Sequence, residues 1–327
     1  MSDPFSQQYI AADDVQAASL LKYVRALYLN KRLPEWLYKI LLKLAPSTWF
    51  PHSQDYILDA EIDNRRIRLL HSTSDTIGRE AWFFGYYDRL VLEFLRTLIQ
   101  RLNSTKIGQS VFYDIGANIG NHTVFLADLF DCVYCFEPNP KALEILKTNV
   151  GSLDQVQIFP IGLSNEDAEL GFATGSATNL GNAHIVTAED MNEPRAKISA
   201  RNGDQLIGEE DLLPPMLMKI DVEGHEPEVI AGLETTIERH TPVIVMEILA
   251  RALGKVSPIA ELLSARGYRV FKMSGLGRVQ QLMRFQNELV LSPFNFDEPC
   301  DNAIAIAPAH WETVQDLCER CGAGRTA

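Results

Sequence analysis

The segment that most constrains the fold lies at residues 111–126 and reads VFYDIGANIGNHTVFL. Its first five residues favour a strand, a glycine turn follows, and apolar residues then recur at helical spacing. A strand that runs through such a turn into a helix is typical of open α/β sheets, which bind ligands beyond the carboxyl ends of their strands. Glycine lets the backbone of the turn approach a ligand closely. The segment therefore predicts an α/β fold with a ligand crevice at this turn.

The spacing of the turn narrows the class of ligand. Asp114, Gly116 and Gly120 form the pattern D-x-G-x-x-x-G, which lacks the middle glycine of the dinucleotide fingerprint G-x-G-x-x-G. That middle glycine lets a pyrophosphate lie against the turn. The pattern therefore favours a ligand with an adenosine but no phosphates. A nicotinamide-dependent oxidoreductase is the alternative, since the same turn would serve its dinucleotide.

Strand and helix patterns alternate after residue 111, as in a parallel sheet with helices on both faces. The predicted strands are 111–115, 132–137, 156–161, 216–222, 242–248, 268–273 and 303–307. The predicted helices are 88–102, 120–130, 140–149, 224–239, 256–266 and 309–321. The polar insertion at 171–205 predicts a loop over the strand ends, either a lid or a disordered segment.

The first 80 residues predict an extension in front of this domain. Its predicted elements are two helices and the two strands of a β-hairpin: 15–31, 35–44, 56–62 and 66–70. The helices, which Pro34 separates, are mostly basic. Such helices can lie on an anionic membrane, but helices packed on their own domain explain the same pattern. We expect a helical and hairpin extension at 1–80 and the ligand-binding domain at 81–327.

Charge and hydropathy exclude several classes of protein. The chain has 30 basic and 43 acidic residues, a net charge of −13, so its field would repel a nucleic-acid backbone. No run reaches the roughly 18 apolar residues of a membrane helix. Residues 1–5 lack the basic and apolar layout of a secretory signal. These features predict a cytoplasmic protein that does not bind nucleic acid.

The cysteines include two C-x-x-C pairs, Cys132 with Cys135 and Cys318 with Cys321, which superficially resemble halves of a zinc site. The first pair lies in a predicted strand, where residues three apart point to opposite faces and cannot share a metal. We therefore expect buried free thiols.

Two carboxylates are predicted at the tips of neighbouring strands. Asp114 ends the first strand, and Glu137 follows the second, 23 residues later. A carboxylate at about that spacing beyond a glycine turn can accept hydrogen bonds from both ribose hydroxyls. Asp114 can accept from an ammonium group of the ligand, or it can cap the turn. After the third strand, Ser164 and Asn165 could face the edge of an adenine ring or belong to an ordinary turn.

Charged residues interrupt the apolar strand predicted at 216–222. Lys219, Asp221 and Glu223 would share one face, and burying three charges is costly unless they pair or bind a ligand. A salt bridge from Lys219 is the structural alternative. Glu247 likewise closes an apolar strand. Asp221 and Glu247 could bind a divalent cation such as magnesium, or act without a metal.

Several segments together resemble the motif series of the FkbM-type S-adenosylmethionine-dependent methyltransferases. They are DIGANIG at 114–120, FEPNP at 136–140 with Leu143 and Asn149, GLSN at 162–165, KIDVEGHE at 219–226, PVIVME at 242–247 and Gly267-Tyr268. The resemblance, which covers about 85–275, implies a class I methyltransferase (Rossmann-like) fold, a seven-stranded sheet with its last strand antiparallel. It also implies Asp114 near the methionine end of S-adenosylmethionine, Glu137 on the ribose and Asp221 near the methyl group. The further cofactor-binding candidates are Gly116, Asn118, Gly120, Pro138, Asn139, Ser164 and Asn165.

The resemblance implies methyl transfer to a hydroxyl group of a natural product, a sugar or another small molecule. An alcohol has to lose its proton, and His225 is the first candidate base because imidazole titrates near neutral pH. The other catalytic candidates are Asp221, Glu223, Glu226 and Glu247. A non-catalytic regulator that keeps the nucleoside pocket is a further alternative, although it has little use for the charged segment at 219–226.

Overall fold

The computed structural model describes residues 55–62, 65–72, 78, 81, 87–105, 108–173, 184–185, 195–275 and 289–322. The two basic helices predicted at 15–31 and 35–44 lie outside this part of the chain. The described residues form a central eight-stranded sheet, a four-stranded sheet and a two-stranded hairpin.

The central sheet has the predicted class I methyltransferase architecture. In spatial order its strands, numbered along the chain, are β5 (Val156–Phe159), β4 (Cys132–Phe136), β3 (Val111–Ile115), β10 (Leu217–Ile220), β11 (Val243–Ile248), β14 (Cys300–Ile306), β12 (Arg269–Gly275) and β13 (Leu289–Pro293). Neighbours from β5 to β11 pair in parallel, whereas β14 is antiparallel to both β11 and β12. The last strand of the chain is therefore inserted antiparallel, as expected. β13 adds an eighth strand at one edge, beyond the seven that the sequence predicts.

Helices cover both faces of this sheet. They are α1 (Arg89–Thr105), α2 (Asn121–Leu126), α3 (Pro140–Val150), α4 (Gly203–Glu209), α5 (Glu226–Gly232), α6 (Glu234–His240), α7 (Ser257–Ala265) and α8 (Pro308–Arg320). The sheet has a hydrophobic core on each face, and successive strand residues point into opposite cores. Phe112 packs in the core formed with α1, α2, α3 and α8, and Tyr113 packs in the core formed with α4 to α7. Cys135 and Cys132 likewise pack on opposite faces of β4, as predicted. No helix in the described segments is both long and apolar enough to cross a membrane.

The region after β5 differs from the prediction. In place of a turn at 162–165 and a loop at 171–205, the described residues contain β6 (Gly162–Ser164), β7 (Ala168–Ala173), β8 (His184–Ile185) and β9 (Arg195–Asn202), in the spatial order β6-β9-β7-β8. In β9, buried Ile198 and Ala200 alternate with exposed Lys197 and Ser199. This is the period-two pattern of a half-buried strand, but its small and polar residues weaken the signal.

Two predicted helices are interrupted. The helix predicted at 120–130 becomes α2 and a short 3₁₀ turn at 127–129, and the one predicted at 224–239 divides into α5 and α6. Gly232 ends α5, and a Cβ atom there would lie 1.9 Å from the carbonyl oxygen of Ser164. The helix therefore ends where its backbone passes β6 at a distance that only glycine permits.

The predicted hairpin is confirmed as β1 (Asp55–Ile62) and β2 (Arg65–Ser72). Ile67 and Leu69 of β2 are buried in the same core as α1 and α2. The Asn149 side chain attaches the hairpin to α3, because its Oδ1 accepts from Leu70 N at 2.6 Å and its Nδ2 donates to Leu70 O at 3.2 Å. The same Nδ2 donates to Ile119 O at 2.7 Å, in the glycine turn. One buried amide thus joins the hairpin, α3 and the predicted ligand site.

Candidate active site

Four predicted site residues lie at the carboxyl ends of adjacent strands. Asp114 is near the end of β3, and Glu137 directly follows β4. Asp221 directly follows β10, and Glu247 is the penultimate residue of β11. Since these four strands are parallel neighbours, their carboxyl ends meet at one edge of the sheet. The structure therefore brings the four acids to the edge where open α/β sheets bind ligands.

Contacts and backbone conformation within the protein explain why glycine stands at two positions of the turn after β3. Gly116 has a φ of +78°, and its backbone N–H donates to Phe136 O at 2.9 Å. A Cβ atom on Gly116 would lie 1.8 Å from the carbonyl oxygen of Asp221. On Gly120, at a φ of +86°, it would lie 2.7 Å from Leu146 Cδ1. The neighbouring backbone therefore requires glycine at 116, whereas at 120, where the nearest atom is the end of a leucine side chain, the positive φ favours glycine. Their contact with a cofactor stays a prediction.

Glu137 is a buried carboxylate that holds this turn together. Its Oε2 accepts from Asn118 N and its Oε1 from Asn139 N, each at 2.7 Å. Burial raises the pKa of Glu137 to about 7, although these two backbone bonds act in the opposite direction. Each oxygen retains a second lone pair, so both can still accept from a pair of hydroxyls. Pro138 and Asn139 lead into α3, where Asn139 Oδ1 caps the helix by accepting from Lys141 N at 3.1 Å.

Buried hydrogen-bond acceptors surround the start of α2. Asp114 is 1% exposed, and its Oδ2 accepts from Thr123 Oγ1 at 2.6 Å. Its Oδ1, together with Asn118 Oδ1 and Asn121 Oδ1, is buried and accepts no hydrogen bond from any described residue. Buried acceptors without donors are costly, and an ammonium group supplies three donors. These acceptors therefore match the donors of the ammonium group at the amino-acid end of S-adenosylmethionine.

His225 connects α5 to the second sheet. Its Nε2 lies 2.9 Å from Ser164 Oγ, and its Nδ1 lies 3.5 Å from Glu228 Oε2. Burial lowers the pKa of His225 against the opposing effect of Glu228, so the ring is neutral at pH 7. Asn165 Oδ1 adjoins this pair, 3.3 Å from Ser164 Oγ. The role of His225 as a base stays a prediction.

Asp221, Glu223 and Glu247 form what we call the carboxylate cluster, in which one oxygen of each lies within 4.8 Å of the others. Lys219 Nζ donates to Asp221 Oδ2 at 2.8 Å, as in the predicted salt bridge. Burial acts to raise the pKa of Asp221, but Lys219 outweighs it and holds this pKa below its ordinary value. Burial, followed by repulsion from Asp221 and Glu223, raises the pKa of Glu247 to about 9. At neutral pH, Asp221 is therefore ionised and Glu247 holds a proton.

Glu226 supports the turn that carries the cluster. It is fully buried, and its Oε1 accepts from Gly224 N at 3.0 Å and Val222 N at 3.3 Å. Burial raises the pKa of Glu226 to about 7 against the effect of these backbone bonds. The turn also contains Glu223 in a left-handed conformation, with a φ of 55°. The contacts of Glu226 are therefore those of a residue that fixes the position of Glu223.

A second polar group near the cluster was missed by the sequence analysis. His122 in α2 lies with its Nε2 3.6 Å from Asp88 Oδ2, and Asn302 Nδ2 donates to the same oxygen at 3.3 Å. The available signal was the polar run at 121–123, which is buried although it opens a helix between two apolar segments. Asp88 and Asn302 had no such signal, because they are 214 residues apart in the chain.

A sequence model of the family described as methyltransferase FkbM domain matches residues 114–270. The matched range contains Asp114, Glu137 and the whole carboxylate cluster. It begins after Asp88 and ends before Asn302, so these two residues lie outside it.

Individual relatives cover smaller parts of the chain. Hexuronic acid methyltransferase AglP of Haloferax volcanii is 30% identical over 137 residues, 41% of this chain and 54% of that protein. The 2-O-methyltransferase NoeI of Sinorhizobium fredii is 25% identical over 145 residues, 39% of this chain and 59% of that protein. The chain therefore spans little more than half the length of either. Among solved structures, methyltransferase FkbM from Methylobacillus flagellatus aligns at a TM-score of 0.40 and 16% identity, over 62% of this chain and 45% of that one.

Proposed function

Because residues 114–270 belong to the methyltransferase FkbM family, we propose that this chain transfers the methyl group of S-adenosylmethionine to a hydroxyl group of a sugar or another small molecule. S-adenosylmethionine is the usual cofactor of methyltransferases of this kind. The observation that carries the proposal is the placement of Asp114, Glu137 and Asp221 at three adjacent strand ends. Two of the relatives are named for methylation of a hexuronic acid and of a 2-hydroxyl group.

The cofactor would be held along the edge of the sheet by groups with matching hydrogen-bond capacity. Asp114 and Asn118 offer buried acceptors to its ammonium group, and Glu137 offers a carboxylate to its ribose diol. Ser164 and Asn165, at the end of β6, are the candidates for the adenine edge. When bound, S-adenosylmethionine supplies an activated methyl group, so the protein has to orient the acceptor and exclude water.

The carboxylate cluster supports a polyol acceptor. Protonated Glu247 donates to ionised Asp221, and both side chains keep oxygen lone pairs that can accept hydrogen bonds from hydroxyl groups. Neighbouring acceptors match adjacent sugar hydroxyls, each of which can donate one hydrogen bond. The cluster therefore favours an acceptor with two vicinal hydroxyl groups over one with an isolated alcohol.

A divalent cation such as magnesium also fits the carboxylate cluster, since hard cations bind carboxylate oxygens. We propose that such a cation would displace the proton of Glu247, because both neutralise the same three carboxylates. Calorimetry of magnesium binding at about pH 7, in buffers of different ionisation enthalpy, would then show that about one proton is released for each cation bound. Glu247→Gln should abolish this release. Binding of magnesium without proton release would exclude displacement of the Glu247 proton.

The decisive binding experiment compares S-adenosylhomocysteine with NAD on the full chain by calorimetry. We expect S-adenosylhomocysteine to bind and NAD not to bind. Asp114→Asn and Glu137→Gln should weaken that binding by about tenfold or more, at about 1.4 kcal/mol for each factor of ten. The matched controls are Asp154→Asn and Glu144→Gln, which change exposed carboxylates of the same types. Binding of NAD alone would restore the oxidoreductase alternative.

The activity experiment uses cofactor with an isotopically labelled methyl group. Hexuronic acids, neutral sugars and a cell extract would be incubated with the protein, and mass spectrometry would identify any product with the label. The expected product is a methyl ether in which the labelled methyl group is bonded to the former hydroxyl oxygen. Tight binding of S-adenosylhomocysteine without transfer to any of these acceptors would favour the non-catalytic binding module instead.

A further inference from the structure

We propose that Thr123 is a positioning residue, which orients Asp114 towards the ammonium group of S-adenosylmethionine with the help of the buried Cys135 thiol. This inference rests on the cofactor binding proposed above and deepens it. It gives a role to two side chains that the sequence analysis did not include among the site residues.

Thr123 supplies the hydrogen bond that holds the Asp114 side chain. It is fully buried in the first turn of α2, and its Oγ1 donates to Asp114 Oδ2 at 2.6 Å. Among the residues that the structure describes, no other group donates a hydrogen bond to this carboxyl group. A hydroxyl bond to a carboxylate is strong at this distance. The orientation of Asp114 therefore depends on a single hydroxyl group.

The Cys135 thiol fixes the direction of that hydroxyl group. Cys135 is the partner of Asp114 in the pairing of β4 with β3, and its Sγ lies 3.1 Å from Thr123 Oγ1. Burial raises the pKa of the thiol, so the sulfur keeps its proton at neutral pH. Thr123 has one hydroxyl proton and an ionised carboxylate only accepts, so the thiol is the donor to Thr123 Oγ1. We call this chain of hydrogen bonds, from Cys135 through Thr123 to Asp114, the buried relay.

The strand on the other side of Asp114 leaves the second carboxyl oxygen unbonded. Lys219 of β10 is the partner of Asp114 there, but its Nζ donates to Asp221 Oδ2 at 2.8 Å. Asp114 Oδ1 stays buried, and it accepts no hydrogen bond from any described residue. A buried oxygen without a donor is costly, so it indicates that a ligand supplies one. The buried relay thus occupies one oxygen and leaves the other for the cofactor.

The ammonium group is the part of the amino-acid end that an oriented carboxylate can select. It carries a positive charge and three N–H donors, whereas the thioether and the carboxylate of S-adenosylhomocysteine have no proton to donate. Hydrogen bonds of this kind weaken steeply when their angle departs from linearity. Loss of the Thr123 hydroxyl group should therefore weaken the binding of ligands that carry the ammonium group and spare those that lack it.

Thr236 provides a matched control outside the candidate site. It is 5% exposed, and its Oγ1 donates to Asp204 Oδ1 at 2.7 Å. Thr236→Val and Thr123→Val therefore make the same change, since each replaces a buried hydroxyl group bonded to an aspartate by a methyl group of similar size. A general loss of stability would appear in both variants.

The test is calorimetry with two ligands, S-adenosylhomocysteine and an analogue in which hydrogen replaces its amino group. The parent protein should bind S-adenosylhomocysteine more tightly than the analogue. Thr123→Val should lower the affinity for S-adenosylhomocysteine by about tenfold or more and change that for the analogue by less than about twofold. Thr123→Ser, which keeps a hydroxyl group, should restore the tight binding. Thr236→Val should bind both ligands as the parent protein does.

Cys135→Ala tests the other end of the buried relay. It should lower the affinity for S-adenosylhomocysteine with the same selectivity, but by a smaller factor of about two to five, because a thiol is a weak donor. Unchanged affinity would overturn the part assigned to the thiol. Should Thr123→Val fail to fold, as judged by thermal unfolding, Thr123→Ala provides the same comparison of the two ligands.

The outcomes separate this inference from the proposed function. An equal loss of affinity for both ligands in Thr123→Val, or no loss for either, would overturn the positioning role and leave cofactor binding intact. A parent protein that binds the analogue as tightly as S-adenosylhomocysteine would overturn the ammonium site at Asp114 and, with it, the role of Thr123. Failure of the parent protein to bind S-adenosylhomocysteine would instead overturn the proposed function.

Discussion

Glu137→Gln tests the energetic consequence of burying a carboxylate at the end of β4. The pKa of Glu137 is raised by burial from 4.5 to about 7, against its two backbone hydrogen bonds. Between these pH values the folded protein retains a proton that the unfolded chain releases. Stability from this group is therefore complete below about pH 4.5 and is lost as the pH rises through about 7. At about 1.4 kcal/mol per pKa unit, the loss is about 3 kcal/mol.

The assay is urea unfolding of the parent protein and of Glu137→Gln at several values from about pH 4.5 to about pH 8, followed by circular dichroism. Glutamine has no proton to release, so the free energy of unfolding of the variant should rise by about 3 kcal/mol relative to that of the parent protein as the pH increases across this range. Glu226 and Glu247, whose pKa values are also raised by burial, titrate in both proteins and cancel in the comparison.

A pH-independent difference in the free energy of unfolding between the two proteins is also expected. Glutamine presents only one oxygen, so it cannot accept from both Asn118 N and Asn139 N, and the lost bond costs about 1–3 kcal/mol at every pH. Only the change of the difference with pH therefore tests the reasoning. Parallel stability curves for the two proteins would show that Glu137 is not appreciably destabilised by burial.

Three further perturbations test other parts of the structure. Gly116→Ala should prevent folding or lower the thermal midpoint by many degrees in circular dichroism, because the added Cβ atom would lie 1.8 Å from Asp221 O. The control is Gly208→Ala, in open space within α4, which should leave the thermal midpoint unchanged or raise it slightly. Asn149→Leu should reduce the free energy of unfolding by about 2–4 kcal/mol and speed hydrogen exchange at Leu70, and unchanged exchange there would argue against its role in attaching β2. A chelator followed by added magnesium should remove and restore methyl transfer if the carboxylate cluster binds the cation, and full activity in chelator would exclude that requirement.

Local sequence signals were sufficient to predict the central strands of the large sheet and the acids at their carboxyl ends. Acids that close apolar strands, such as Asp114 and Glu137, are recognisable because each lies at the boundary between two patterns. Parallel pairing then brings such boundaries to one edge of the sheet, which is why the acids lie at neighbouring strand ends in the structure. The same reasoning predicted the seven strands β3 to β5, β10 to β12 and β14, but not β6 to β9, α4 or β13.

Features that depend on contacts distant in sequence were not predictable in this way. The requirement for glycine at 116 arises from the carbonyl of Asp221, more than a hundred residues later. Asp88 comes close to His122 because a left-handed turn and the Asn302 amide hold it there. The second sheet was missed for a different reason: its strands are short and partly polar, so their alternation resembles that of a loop.

The amide of Asn149 has a practical implication for anyone who wishes to shorten this protein. The family match begins at residue 114, and a trimmed version starting at 81 looks attractive for crystallisation or for fusion to another enzyme. Such a version would lack Leu70 and leave a buried side-chain oxygen without its donor, directly beneath the loop that carries Ile119. We expect trimming to weaken cofactor affinity as well as solubility, because Asn149 also donates to Ile119 O in the glycine turn.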